Sequence, residues 1–457
     1  MSAVDVGSVL DEGKWGGYQQ FLVGATALTI IFDGLDNQVL GAAIPALARD
    51  WNLPAPAFRH VLTSGMVGMM VGGLVGGFIG DRLGRRVALL GSVIAFGLLT
   101  LLVALSSGVL MLGALRFLAG LGLGGAMPNA AALASEYVPR RHRPFAVTLT
   151  IVCIPLGGSL AGLSAGMILP SWGWRALFLA VGIVPLVLAA ALYGILPESP
   201  RFLARRRERW PELGGLLRRL GHDVPADAQF IDASEKSVAR ATVREILVPE
   251  FRRDTLALCA SFFFCLLSVY MGTNWVPSML RGSGFDVRTT SYGLTAFNVG
   301  GVVGALVGAY FIVRQGSRFT MLTMAAGAVA GAAVLGLMEI GPQSTFLVFA
   351  MLSWTGGLIN AVQTTMYALA AHVYPTSVRA TGVGTAVGFG RIGGVLSPSL
   401  GGWALESGGA PQYFGLIAAT MTLTFASLAS VRHHIPGVVS LGGQPSTVDR
   451  RQSSVAR

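Results

Sequence analysis

Charge is scarce in this chain: only 12% of its 457 residues are Asp, Glu, Lys or Arg, where a soluble domain carries about a quarter. That shortage excludes an ordinary water-soluble globule. Cysteine is scarcer still, with three in all, at Cys153, Cys259 and Cys265. They stand inside apolar runs with no Cys-x2-Cys spacing, which leaves them as small apolar residues rather than a disulfide framework or a metal site. No phosphate loop or Walker motif occurs, no nucleophile–histidine constellation and no cluster of metal ligands. Those absences argue against an enzyme, against a resident cofactor or metal, and against a self-contained ATP-driven pump. Alternating strands of about ten residues are absent as well, which excludes a membrane barrel. The first apolar run follows Asp5, Asp11, Glu12 and Lys14 rather than a basic leader, so it reads as an uncleaved helix and not a signal peptide.

What the chain does have is hydrophobic length. Apolar residues make up 53% of it, mean hydropathy is +0.64, and they gather into runs long enough to cross a hydrocarbon core of roughly 30 Å. Twelve such runs are expected, at 20–44, 59–80, 87–106, 110–135, 145–169, 176–196, 255–280, 290–313, 319–340, 344–372, 379–402 and 411–431. No water in the lipid core can satisfy backbone amides, so each run must be a helix, and the fold class is an all-α polytopic membrane protein. The 62 glycines suit close helix packing in lipid.

A net charge of +11 invites a nucleic-acid partner, but its distribution argues against one. Arg82, Arg85, Arg86, Arg140, Arg141, Arg143, Arg314, Arg318 and Arg379 fall in short loops on one side; Arg49, Arg59, Arg175, Arg281 and Arg288 fall on the other. The bias puts both termini in the cytoplasm, with the bilayer as the partner of the basic charge. Residues 1–19 form a cytoplasmic N-terminal segment, 20–196 and 254–432 two six-helix halves, 197–253 a polar cytoplasmic linker of nearly balanced charge, and 433–457 a Ser/Gly-rich tail expected to be disordered.

The halves repeat. Glu136-x2-Pro139-x3-Arg143 after span four matches His372-x2-Pro375-x3-Arg379 after span ten at an offset of 236, which also aligns Gly157-Gly158 with Gly393-Gly394. Between spans two and three the chain reads Gly77-Phe-Ile-Gly80-Asp81-Arg82-Leu-Gly84-Arg85-Arg86, and near an offset of 232 this recurs with Val313 in place of the acid. The turn resembles the signature loop of the major facilitator superfamily of secondary transporters. The resemblance implies twelve spans in two six-helix halves, with the substrate site between them. It casts Asp81, Arg82, Arg85 and Arg86 as a charge-assisted clamp, where a mere topology anchor would need no acid and no spaced glycines. Glu136, Arg143, His372 and Arg379 join them as gating ion-pair candidates.

Ionisable residues inside spans are costly and point to function. Asp33 and Asp36 share one face of span one, Asp33 roughly 20 Å along it. Their mutual repulsion makes them proton-coupling candidates; a permanent pairing with arginine is the structural alternative. Arg116 opens an Arg-x3-Gly-x3-Gly pattern in span four, and snorkelling to the interface is its alternative. Arg391 lies roughly 18 Å along span eleven, too deep to snorkel easily, where a planar guanidinium suits a substrate carboxylate or a fixed acid partner. Together Asp33-Gly-x-Asp36, Arg116 through Asn129, Tyr270-Met-x2-Asn274-Trp275 and Arg379 through Gly393 resemble the aromatic acid:proton symporter family of facilitators. That resemblance implies a monomeric carrier of small aromatic carboxylates and protons in the bacterial inner membrane, working by alternating access. An aromatic substrate needs stacking and neutral hydrogen-bond groups, for which Tyr270, Asn274, Trp275, Asn298 and Asn129 are candidates beside Phe297, Asn360 and Gln363. Pro197-Glu-Ser-Pro-Arg-Phe-Leu203 resembles a motif of sugar- and organic-ion-type facilitators, so a carrier of another substrate class stays open.

Overall fold

The computed structural model describes residues 3–13, 15–222, 224–225, 228–231, 242–375 and 377–437. Eight long helices each hold one span: α2 (Gly17–Asp50), α3 (Arg59–Leu83), α4 (Arg85–Val103), α5 (Val109–Tyr137), α9 (Pro249–Gly282), α10 (Val287–Gln315), α11 (Ser317–Leu337) and α12 (Thr345–Val373). Two more, α6 (Arg143–Ile195) and α13 (Arg379–Ser430), run to 53 and 52 residues, nearly 80 Å of helix at 1.5 Å per residue and far beyond one bilayer crossing. Each breaks at glycine in a backbone conformation that other residues avoid: Gly173 at φ 73° and Gly409 at φ 62°. Each therefore holds two spans, and the count reaches the expected twelve, six on either side of the linker.

Glycine sets how closely the spans pack. A Cβ at Gly157 would fall 2.0 Å from the Ile31 carbonyl oxygen, and one at Gly393 2.2 Å from that of Phe263. Likewise Gly72 meets the Leu121 carbonyl at 2.1 Å and Gly304 that of Gly357 at 2.2 Å. These are equivalent places in the two halves, at offsets of 232 for spans one and two and 236 for spans four and five. The internal repeat is therefore structural, carried by backbone-to-backbone approach of the kind small residues permit in lipid.

One element departs from the all-helical membrane body. A short strand, β1 (Ala3–Asp5), pairs in parallel with β2 (Gln229–Ile231). Around them α1 (Val6–Asp11), α7 (Pro200–Ala204) and α8 (Trp210–Arg219) bury Val6, Leu10, Leu203, Leu213, Leu217 and Phe230 in a small core of their own. The N-terminal segment and the linker thus form one unit against the first half. The tail after residue 437 lies outside the described residues.

The halves meet toward one face. Asn298 donates to Gln38 Oε1 at 2.8 Å, Thr295 to the Ser159 carbonyl at 3.2 Å, and Arg59 pairs with Glu406 at 3.5 Å. Gly41 packs on the span-seven backbone, 2.8 Å from the Thr273 oxygen to a built Cβ. All these residues lie toward the ends of their spans remote from the Gly77–Arg86 turn, so the protein is closed on that far face.

A substitution pair tests the packing. Gly157→Val forces a side chain into the Ile31 carbonyl, and overpacking of this kind costs about 1–3 kcal/mol; Gly24→Ala meets nothing within 4 Å. Thermal melts in detergent are expected to fall by several degrees, with lower folded yield, for the first and to stay unchanged for the second.

Candidate functional site

Between the halves lies a cavity of about 220 Å³. Span one contributes Asp33, Asn37 and Gln38, span two Met66, Met69 and Met70, span seven Tyr270 and Thr273, span ten Asn360, Gln363 and Tyr367, and span eleven Arg391. The wall is mostly apolar with a few convergent polar groups, the usual make-up of a small-molecule site.

Asp33 is 4% exposed, and its Oδ1 is buried without a protein hydrogen-bond partner. Arg391 reaches across from the second half, its Nη1 approaching the Met69 carbonyl at 3.5 Å. Gly73 makes room for it: a Cβ there would fall 1.9 Å from the same nitrogen. Asp33 and Arg391 feel each other's charge, yet no ion pair joins them among the described residues. An unpaired acid and a base thus face one cavity from opposite halves. Tyr270 stands beside them, its hydroxyl against Asn37.

Asp36 is a different case, although it lies one turn from Asp33. It is 0% exposed and lines no part of this cavity. Thr100 donates to its Oδ1 at 2.6 Å, Arg116 Nη1 lies 3.4 Å from the same oxygen, and Arg116 Nη2 donates to its backbone carbonyl at 3.0 Å. Arg116 is itself 4% exposed, so it does not snorkel. The two acids of span one are divided between a cavity and a buried pair within the first half.

Five other candidates lie away from the cavity wall, among them Phe297, buried against Gly272 and Gly356. Asn129 donates to the Gly76 and Gly125 carbonyls at 2.9 and 2.8 Å, joining spans two and four. Trp275 is fully buried and packs on Gly401, 2.5 Å from a built Cβ to its Cδ1. Asn298 spends its amide on Gln38 and the Leu294 carbonyl at the closed face. Asn274 is 2% exposed and borders a separate small space with Arg116 and Asn37. Sequence reasoning passed over Gln38, Thr273 and the span-two methionines. Met66, Met69 and Met70 do sit at the i, i+3, i+4 spacing of one helix face, a visible signal for a lined wall.

The gating candidates form knots inside each half. Asp81, at the end of α3, pairs with Arg85, the first residue of α4, across the turn at Gly84. Gly84, at φ 112°, presses on Glu198, whose Oε1 accepts from the Arg86 and Ser199 backbone N–H groups at 3.0 and 2.9 Å. Arg86 donates to the Tyr193 carbonyl and Ser199 to Glu136, while Arg82 lies over the Phe78 ring at 4.1 Å. Arg143 donates to the Ser135 carbonyl and pairs with Asp11. In the second half Arg379 donates to the Tyr374 carbonyl at 3.2 Å, and His372 is exposed. The loop without its acid is held instead by the segment after span twelve: Ser317 N–H donates to the Ile435 carbonyl at 2.9 Å, and Ile435 N–H returns to Ser317 Oγ at 2.8 Å. His433 bonds Asp254 at 2.6 Å beside it.

Twelve membrane-crossing helices in two like halves, with a central cavity closed toward one face, define a polytopic membrane carrier. The model of the Major Facilitator Superfamily matches residues 26–398 and again 258–446, and the chain belongs to that superfamily. The gallate transporter of Pseudomonas putida is 34% identical over 416 residues, covering 91% of this chain and 92% of that protein. The 4-hydroxybenzoate transporter PcaK of Pseudomonas aeruginosa is 33% identical over 441 residues, 96% of each. In fold, the chain is similar to the xylose transporter XylE from E. coli in a partially occluded inward open conformation, with a TM-score of 0.71 at 17% identity, over 94% of this chain and 100% of that one.

The two span-one acids should separate on mutation. Arg116→Ala strands Asp36 as a buried charge, which costs about 3–5 kcal/mol, so little monodisperse protein is expected on size-exclusion chromatography. Asp33→Asn leaves no such charge behind and should elute and melt like the parent.

Proposed function

We propose that the protein is a proton-coupled symporter that takes up small aromatic carboxylates, benzoate or hydroxybenzoates among them, by alternating access across the cell inner membrane. The observation that carries this reading is the cavity shared by an unpaired Asp33 and a cross-half Arg391. The named substrates of its relatives, gallate and 4-hydroxybenzoate, are anions of the size and polarity that such a site would suit. The positive-inside bias supports cytoplasmic termini, with the closed face then on the opposite side of the membrane.

In this reading the guanidinium of Arg391 captures the substrate carboxylate, bidentately where geometry allows. The anion then takes up the positive field that Asp33 otherwise shares, and Asp33 carries the coupled proton. With both loaded, the cavity holds no uncompensated charge as the halves rock, a requirement in a low-dielectric core. Met66, Met69 and Met70 with Tyr270 would cradle the ring, sulfur and aromatic contacts being favourable there. Thr273, Gln38 and Gln363 are the partners for ring hydroxyls. Arg116 and Asp36 act together as a fixed pair beside the coupling acid, and the knots around Asp81, Glu136 and Arg143, with His372 and Arg379 opposite, would meet when the cytoplasmic side closes. The halves at 20–196 and 254–432 are the moving bodies.

The energetics suit the task. A benzoate-like acid is only about one part in a thousand neutral at pH 7, so passive uptake is slow. Symport of one anion with one proton is electroneutral and gains about 1.4 kcal/mol per pH unit.

The test is uptake of labelled 4-hydroxybenzoate and benzoate into proteoliposomes under an inward proton gradient. Gradient-driven uptake that is lost in Asp33→Asn and in Arg391→Ala is expected; folded protein that takes up neither acid rejects the reading. Gly73→Val supplies an independent check, because it displaces the guanidinium without removing it. KM for either acid is expected to rise at least about tenfold, the equivalent of one lost charge-assisted hydrogen bond.

A further inference from the structure

Beside the cavity lies a second, smaller space of about 20 Å³, bordered by Asn37, Leu40, Val61, Leu62, Gly65, Met66, Met69, Arg116, Leu123 and Asn274. Three of those groups are polar, and they come from spans one, four and seven. Two have buried nitrogens without a protein partner: Arg116 Nε and Asn274 Nδ2. Both side chains are more than nine-tenths buried, at 4% and 2% exposed. A buried donor left unsatisfied is expensive, and Arg116 cannot lose its charge to escape the cost. A space of roughly 10–15 Å³ or more, with two to four polar partners, is what one ordered water needs.

We infer that this space is a water site in which one molecule accepts from Arg116 Nε and Asn274 Nδ2 and donates to the side-chain oxygen of Asn37. The inventory of groups fits: two unpartnered donors on residues that border one space, and an amide with an acceptor on the same border. Asn37, Met66, Met69 and Leu123 border this space and the main cavity alike, so the two adjoin. The water therefore links the cavity that Asp33 faces to the buried Arg116–Asp36 pair.

Asn274 gives the site its meaning, since it is the only polar contributor from the second half. The backbone beside it packs on Gly41 at the closed face, 3.0 Å from Asn274 Cα to a built Cβ. Thr273 Oγ1, Trp275 Nε1 and Ser278 Oγ, on the same stretch of span seven, are likewise buried without protein partners. When the far face opens, span seven must leave span one, and Asn274 then borders a wetted path to Arg116. Asn274 is a positioning residue: it seals the Arg116–Asp36 pair with a single water in this state and yields it to bulk water in the other. Facing Asp36 are Arg116 of span four, the Thr100 hydroxyl of span three and Asp33 of its own helix, with Arg391 facing Asp33 from span eleven.

A structure of the full chain in lipid nanodiscs, at a resolution that orders water, tests the site without any substrate. Density for one water within hydrogen-bond distance of Arg116 Nε and Asn274 is expected, and Asn274→Leu should remove it. A dry space, or Arg116 Nε bonded to another protein group, overturns the inference. The positioning role rests on the proposed transport and is read from the pH profile of labelled 4-hydroxybenzoate exchange. Asn274→Leu should move its midpoint by about half to one pH unit, the worth of one net hydrogen bond, while Asn274→Ser, which keeps a polar group and leaves room for water, should restore it. An unmoved midpoint in Asn274→Leu overturns the role. Failure of the parent protein to exchange any aromatic acid would instead reject the transport reading, and the water density alone would then decide the site.

Discussion

Everything in this molecule depends on how closely two helix backbones approach where glycine removes the side chain. Spans five and eleven lie against spans one and seven through Gly157 and Gly393, each within van der Waals reach of a carbonyl oxygen. In lipid no hydrophobic effect drives helices together, so such contacts and the dispersion they bring carry much of the association. They also decide what the cavity is. With spans one and seven held this close to their neighbours, the side chains on their inner faces have only the interface between the halves to fill. Asp33, Asn37, Tyr270 and Thr273 are therefore cavity residues by consequence of glycines on other helices.

Against that repeated frame the charges inside the spans stand out because, unlike the loop arginines, they are not repeated. At the offsets that superpose the packing glycines, Asp33 and Asp36 correspond to Cys265 and Ser268, Arg116 to Leu352, and Arg391 to Pro155. The duplicated part of the spans is the part that packs; the unduplicated part is the part that places charge inside the membrane. A symmetric set would put two like charges across one small cavity, which a low-dielectric interior penalises heavily. One acid from the first half and one base from the second give a site that is nearly neutral on average and polar in direction.

Much of this was legible beforehand, and the exceptions have physical causes. The twelve spans follow from hydrophobic run length, because the bilayer imposes one length on every crossing. The joints between spans five and six and between eleven and twelve were readable only as gaps, since continuous helix bends around Gly173 and Gly409 with no polar loop to mark them. Arg391 and Asp33 were findable because charge in an apolar run is rare. Whether a neutral amide faces a cavity or a neighbouring backbone was not findable. Asn129, Asn298 and Asn360 look alike in sequence, yet only Asn360 borders the cavity while Asn129 bridges two helices. A helical period gives the face a residue occupies and not what the facing helix offers there. The small parallel sheet was invisible for another reason: its strands are three residues each and their partners, Ala3 with Gln229 and Val4 with Phe230, stand 226 positions apart in the chain, with nothing long enough to give a periodic signal.

The differing ways in which the two halves fasten their loops carry a consequence for how such a chain tolerates change. In the first half a buried carboxylate, Glu198, clasps the turn at Gly84; in the second, main-chain groups at Ile435 clasp the turn at Gly316. A carboxylate clasp ties the identity of one side chain to the turn it holds. The second clasp is mostly main chain and asks for one side chain, the Ser317 hydroxyl that accepts from the Ile435 N–H. No bond of that second clasp calls on an acid at Val313, whereas the first turn rests on the carboxylate of Glu198. Two like halves are thus fastened at corresponding turns by different chemistry, one by a buried carboxylate and one mainly by backbone.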